Sequence, residues 1–202
     1  MSTKVTVKTE KTDWLGVIRK SIGAAVLIGL GNFALLKLGN PIGPVIFAFG
    51  LLGVCYLGQN LFTGKCGFFI QDKIPLKQLL TILAVNLAAG WLIGWIFAAA
   101  DPSIVEAATA KVTSWDFSLA FFLKAVLCGV IMYLAVAMHK KGTPLGVIFG
   151  IPLFIFCGFQ HCIANVITLG VATTWSWTLA LAVLGNFVGS LVMWWLSKSG
   201  EK

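Results

Sequence analysis

The chain has 202 residues, 58% of them hydrophobic and only 11% charged, with a formal net charge of +8. That is too little polar surface to coat a soluble globule of this size, so a water-soluble domain is excluded and an integral membrane protein is indicated. The positive excess lies in tails and loops, where it reads as a topology signal; no nucleic-acid partner is expected.

The first twenty residues are polar. The apolar run that follows is succeeded by five more, so a cleaved secretory signal is not expected. Residues 13–20, DWLGVIRK, read either as a short interfacial helix, with Asp13 as cap and Trp14 as anchor, or as an unstructured tail. Crossing a hydrocarbon core of about 30 Å takes roughly 20 helical residues. Runs near 21–37, 43–64, 78–100, 117–138, 144–168 and 177–197 meet that length. No period-2 alternation of a transmembrane barrel is present. The expected fold is therefore an all-α membrane protein of six transmembrane helices, with a cytoplasmic segment 1–20, a transmembrane domain 21–197 and a cytoplasmic tail 198–202.

Lysine and arginine set the orientation. With the N-terminus inside, the inner side holds Lys4, Lys8, Lys11, Arg19, Lys20, Lys65, Lys73, Lys77, Lys140, Lys141, Lys198 and Lys202. The outer loops hold Lys37 and Lys111, and Lys124 is placed to snorkel outward from the fourth run. Both termini are thus expected in the cytoplasm; the membrane itself is expected to be a prokaryotic-type inner membrane, which the charge count does not decide. All seven acids lie in tails, loops or span ends. Cation pathways commonly use intramembrane carboxylates, so their absence argues against one.

Cys55, Cys66, Cys128, Cys157 and Cys162 form no C-x-x-C pair and read as free apolar thiols. No metal or other cofactor is expected, and a bis-histidine haem is disfavoured because the second histidine, His139, falls in a loop beside Lys140 and Lys141. Gly90/Gly94 and Gly185/Gly189 have the spacing of close helix packing in the third and sixth runs. Trp14, Trp175, Trp177, Trp194 and Trp195 read as interfacial anchors, and Trp91 and Trp95 as facing lipid or a neighbouring subunit.

The second and fifth runs repeat a pattern. PVIFAFG at 44–50 matches PLFIFCG at 152–158, and each run then reaches a small polar break, QNLFTG at 59–64 and QHCIAN at 160–165. Two corresponding interrupted helices signal inverted halves that meet near the bilayer midplane. Broken backbone at that depth is tolerated where protein or a water-lined cavity satisfies the freed groups.

NLFTG at 60–64, GFQHCIAN at 158–165 and GNFVG at 185–189, together with AVLIGLG at 25–31 and AKVT at 110–113, resemble the formate/nitrite transporter family from about residue 20 onward. The resemblance implies a homopentamer in which each aquaporin-like protomer encloses its own pore for small monovalent anions or their conjugate acids, such as formate, nitrite, lactate or hydrosulfide. It also implies roles for single residues. Thr63 and His161 form the central polar pair, Lys111 stands in the outer vestibule, and Asn165 and Asn186 lie near the pathway. Phe47, Leu51, Leu61, Phe62 and Phe154 fall at the hydrophobic constrictions. The chain departs from the family pattern at Gln160, where glutamate is usual, at Lys65, where asparagine is common, and at Ser190, where glycine is frequent.

A bare anion in an apolar constriction carries an idealised Born cost on the order of tens of kcal/mol, which its neutral acid largely avoids. Histidine is the side chain best suited to exchange a proton at physiological pH. Thr63 can orient the ring or donate to the substrate. Lys111, and Lys65 from inside, would concentrate anions. Because a fully buried histidine tends to be neutral, the expected proton source is bulk water assisted by the site. Three other readings remain at this stage. A neutral-solute channel is disfavoured by the lack of paired Asn-Pro-Ala motifs, a membrane enzyme or redox subunit by the lack of acid pairs or cofactor ligands, and a non-conducting structural subunit predicts no flux.

Overall fold

The computed structural model describes residues 12–198, and among them every regular element is a helix. In chain order these are α1 (Trp14–Leu38), α2 (Ile42–Tyr56), α3 (Phe62–Lys65), α4 (Leu76–Ala100), a 3-10 turn (Pro102–Ile104), α5 (Val105–Thr113), α6 (Leu119–Lys140), α7 (Leu145–Phe156), α8 (Cys162–Val171) and α9 (Thr178–Ser197). Helices α1, α4, α6 and α9 are long and apolar enough to cross a bilayer. The run 43–64 is divided into α2 and α3 by residues 57–61, and the run 144–168 into α7 and α8 by residues 157–161.

The helix ends follow local chemistry. The Asp13 carboxylate accepts from the Gly16 N–H at 2.9 Å, so Asp13 is a cap. The helix it starts runs unbroken to Leu38, and residues 14–20 are its first two turns rather than a separate interfacial helix. Ser118 caps α6 by accepting from the Phe121 N–H at 3.2 Å. His139 lies in the last turn of α6, not in a loop, with its ring edge-on to Tyr56 at 4.9 Å. Of the termini expected to be cytoplasmic, residues 1–11 and 199–202 lie outside the described residues.

Burial is inverted relative to a soluble protein. Phe49, Leu119 and Trp195 are each about two-thirds exposed, whereas Asn32, Asn86, Thr168, Asn186 and Ser190 are fully buried. Lipid is as apolar as leucine, so apolar faces turn outward and polar side chains serve as internal fasteners. Trp95 is about half exposed, whereas Trp91 is partly buried against the core and its indole N–H donates to the carbonyl of exposed Thr174 at 3.2 Å.

Small residues set the helix spacing. A Cβ on Gly94 would strike the Ile167 carbonyl of α8, and one on Gly189 the Val126 carbonyl of α6. The two glycine pairs therefore press α4 onto α8 and α9 onto α6. In the first half α1 packs on α2 and α4; in the second, α6 packs on α7 and α9. Between these two groups the breaks converge.

Candidate functional site

Each break starts with a glycine that no other residue type would fit without strain. Gly58 and Gly158 have φ of +61° and +67°, which stops α2 and α7 and turns the chain back toward the core. The returning backbone must then be hydrogen-bonded where no water reaches it. At the first break the Asn60 N–H donates to the Lys20 carbonyl at 3.1 Å. The Asn86 Oδ1 accepts from the Phe62 N–H at 2.8 Å, and its Nδ2 donates to the Asn60 and Ser21 carbonyls at 3.0 and 2.8 Å.

The second break is held in the same way. The Gln160 N–H donates to the Lys124 carbonyl at 3.4 Å. The Asn186 Oδ1 accepts from the Cys162 N–H at 2.8 Å, and its Nδ2 donates to the Gln160 and Ala125 carbonyls, both at 2.8 Å. Asn186 thus spends its whole amide on backbone. Asn86 went unremarked in the sequence, yet a signal was there: each asparagine stands 24 residues after the N–H it accepts from.

Where the breaks meet, Thr63 Oγ1 and His161 Nε2 are 2.8 Å apart, both buried. His161 is also the N-cap of α8, its Nδ1 accepting from the Ala164 N–H at 3.1 Å. A nitrogen that accepts carries no hydrogen, so this bond assigns the proton of the neutral ring to Nε2, which donates to Thr63. The threonine hydroxyl hydrogen is then free for another acceptor. Phe154 stacks on the imidazole at 5.8 Å, and Phe47 stands edge-on to Phe154 at 6.0 Å.

Two cavities approach this pair from opposite ends. One, of about 60 Å³, is lined by Phe47, Lys111, Phe154, Gln160, His161 and Asn165 and opens at the end that carries α5. The other, of about 230 Å³, is lined by Leu51, Gln59, Leu61, Lys65, His139 and Lys140 at the end where α6 finishes. Phe47, which lines the first, and Leu51, which lines the second, are about one turn apart on α2, a rise of about 6 Å along the helix. Phe62 lines neither; it is buried, with its N–H held by Asn86.

A sequence model described as formate/nitrite transporter matches residues 2–199. The chain belongs to the formate/nitrite transporter family. It is 30% identical to the uncharacterized transporter YwcJ of Bacillus subtilis, over 77% of this chain and 72% of that one. It is 29% identical to a probable formate transporter of Methanothermobacter thermautotrophicus, over 91% and 87%. The fold is like that of a solved structure described as a pentameric formate channel with formate bound, with a TM-score of 0.71, 18% identity and coverage of 93% and 96%. This is a family of transporters and channels rather than enzymes, and the chain is a multi-pass membrane protein.

In this family member Gln160 is integrated into the loop. Its Oε1 accepts from the Asn165 amide at 3.0 Å and its Nε2 donates to the Gly158 carbonyl at 3.1 Å. Ser190 donates to the Gly129 carbonyl at 3.1 Å, tying α9 to α6. Lys37 is in the last turn of α1, where it pairs with Asp101 at 2.7 Å and reaches Ser103 at 2.8 Å. Those bonds hold the Asp101 carboxyl down at about 2.

Lys111 makes no ion pair among the described residues and lines two cavities, the 60 Å³ one and a neighbour of about 260 Å³ that Lys124 and Asp116 also line. Part of its surface stays open, but protein crowded around the ammonium lowers its pKa from 10.5 to about 8, so at neutral pH it remains a cation. All five cysteines are free, and among the described residues no three His, Cys, Asp or Glu side chains converge as for a metal.

Proposed function

We propose that the chain conducts small monovalent anions of the formate, nitrite or hydrosulfide type, crossing the centre as their conjugate acids. Six spans carry the pore, α2–α3 and α7–α8 being two interrupted spans of inverted, aquaporin-like halves. The protomers assemble as a homopentamer, as the formate channel of like fold does by its description. Both termini are cytoplasmic, in a prokaryotic-type inner membrane; the α5 end faces outward and the end rich in lysine faces the cytoplasm.

The observation that carries this reading is the 2.8 Å Thr63–His161 bond between two opposed cavities. In the outer cavity Lys111 and the Asn165 amide attract the anion and lower the cost of its approach. Phe47 and Phe154 on one side, and Leu51 and Leu61 on the other, exclude the charged form at a Born cost on the order of tens of kcal/mol in the dry limit. The proton arrives from bulk water. With Nδ1 committed to the α8 cap, His161 acts through Nε2 alone, orienting Thr63 so that its hydroxyl hydrogen meets the guest's acceptor atom. Asn165 and Gln160 shape the outer approach, and Asn186 holds the backbone that forms it.

Proteoliposome uptake of formate, nitrite, acetate, lactate and hydrosulfide across an external pH series tests this. His161→Asn is the informative variant, because asparagine keeps the N-cap acceptor while removing the ring. Uptake of at least one anion by the wild type, strongly altered in an assembled H161N protein, is expected. Equal rates in the two would rule out the role of the ring.

A further inference from the structure

The largest of the cavities described lies beside the inner cavity and shares Lys140 with it. It is a groove of about 610 Å³ at the lysine-rich end, between the ends of α6 and α9. Its floor is Phe68 stacked on Tyr133 at 4.7 Å, with Leu134 and Met138 alongside, both more than a third exposed. Its rim is Lys140, Lys141 and Lys198; among the described residues no carboxylate lines it, and the carboxylate closest to its rim is that of Asp72, paired with Lys140. We infer that this groove binds an anionic phospholipid, with the headgroup phosphate among the three lysines and the acyl chain along the apolar floor.

The side chains already have the required arrangement. Lys140 lies 4.2 Å over the Phe68 ring and 2.6 Å from Asp72, and Lys198 lies 4.1 Å over the Trp194 ring. Both ammonium groups are therefore held in place before a ligand arrives, which lowers the ordering cost of binding. Lys141 makes no ion pair among the described residues, so its charge is available. The Tyr133 and Ser197 hydroxyls, 2.9 Å apart, spend their hydrogens on Ser197 and on the Trp194 carbonyl, so they wall the groove and leave the lysines as its donors. Basic pockets between helices at the cytoplasmic surface have this chemistry toward anionic headgroups.

The floor decides against a free phosphate, which would leave aromatic and aliphatic surface uncovered. Charge decides against a neighbouring copy. Among the described residues this end carries Arg19, Lys20, Lys65, Lys73, Lys77, Lys140, Lys141 and Lys198 against Asp13 and Asp72, and a second copy would bring the same excess. Among the described residues Lys140 is shared with the inner cavity, whereas Lys141 and Lys198 line the groove alone, so those two can be changed without altering the lining of the proposed transport pathway.

Native mass spectrometry of the full chain in mild detergent, titrated with phosphatidylglycerol or phosphatidylcholine, tests the site. Retention of phosphatidylglycerol at one per protomer, with phosphatidylcholine lost, is expected. Lys141→Gln/Lys198→Gln should bind it about thirty-fold more weakly, from two lysines near the surface. Lys141→Arg/Lys198→Arg should bind as the wild type, and so should Lys73→Gln/Lys77→Gln, which removes equal charge from the same end. Equal retention of the two lipids, or equal loss in both glutamine pairs, would reduce the effect to diffuse surface attraction and overturn the site. Displacement of the lipid by glycerol phosphate would make it a free-phosphate site. Dissociation of the oligomer in Lys141→Gln/Lys198→Gln would make the groove an interface between copies.

Discussion

Replacing Asn86 or Asn186 with leucine should destabilise the protein by similar amounts, because the two amides do the same work in the two breaks. Each makes three hydrogen bonds. One goes to a helix carbonyl, of Ser21 in α1 or Ala125 in α6, which the helix ladder also serves. The other two satisfy groups with no such alternative, the Phe62 N–H and Asn60 carbonyl in one break and the Cys162 N–H and Gln160 carbonyl in the other. A buried polar group left unpaired costs about 1–3 kcal/mol, so two orphans give about 2–6 kcal/mol. Within a bilayer the unfolded reference also finds partners, and measured side-chain bonds average about 0.6 kcal/mol. The expectation is therefore at the low end, about 2–3 kcal/mol for either variant.

Equilibrium unfolding in bicelles is the assay, read by tryptophan fluorescence and compared with Asn86→Asp and Asn186→Asp. Aspartate keeps the acceptor for the N–H but turns an oxygen toward the two carbonyls, so it should destabilise at least as much as leucine. A loss below about 0.5 kcal/mol in either leucine variant would show that the break is held by other contacts. A several-fold difference between the two leucine variants would show that the matching bonds do not carry matching loads.

Three further outcomes follow from the site. Thr63→Val preserves shape but strands the His161 Nε2–H, an error of about 1–2 kcal/mol, so flux should fall about five- to thirty-fold and recover in Thr63→Ser; wild-type flux in the valine variant would remove the threonine from the pathway. With its pKa lowered to about 8, Lys111 loses its charge as external pH rises through that value, so wild-type uptake should show an added decline there that Lys111→Arg, charged throughout, abolishes; an identical pH profile in the two would place the titration elsewhere. Gln160→Glu removes the donor to the Gly158 carbonyl and puts a negative charge in the outer cavity, so uptake should drop at neutral external pH and approach wild type on acidification; parallel pH profiles would show that the amide is interchangeable there.

Much of the frame was legible because bilayer length and glycine spacing leave few alternatives. The apolar runs predicted where helices lie, and Gly94 and Gly189 predicted where backbones touch, since only a missing Cβ admits a carbonyl at that position. Asp13 was readable as a cap, but the helix it opens was not readable as continuous with the first span, because Arg19 and Lys20 lower the hydropathy of turns that are nonetheless helical. His139 was misplaced because its charged neighbours look like a loop, although lysine and histidine suit the last turn of a helix. Asn86 was missed for another reason: an isolated asparagine in a long apolar helix has no local pattern. Its meaning lies in backbone brought to it from another element, and only the spacing shared with Asn186 hints at that.

The same spacing separates scaffold from chemistry. Aligned on Asn86 and Asn186, the two breaks match at the stopping glycines and the amides that hold them, while the carbonyls that receive the returning N–H groups, of Lys20 and Lys124, play the same part about four residues out of that register. They differ where they face each other. Leu61 corresponds to His161 and Thr63 to Ile163, so each half contributes one polar and one apolar side chain to the centre. The polar pair is therefore a single bond across the junction rather than a symmetric cluster. A frame held by matching asparagines can keep that one bond fixed while the residues around it vary. Because the ring's second nitrogen is consumed in capping α8, any proton or hydrogen-bond traffic at the centre must use the Thr63 side of the imidazole. On the proposed pathway that confines the chemistry to the stretch between the two cavities, where an anion would be least able to keep its charge.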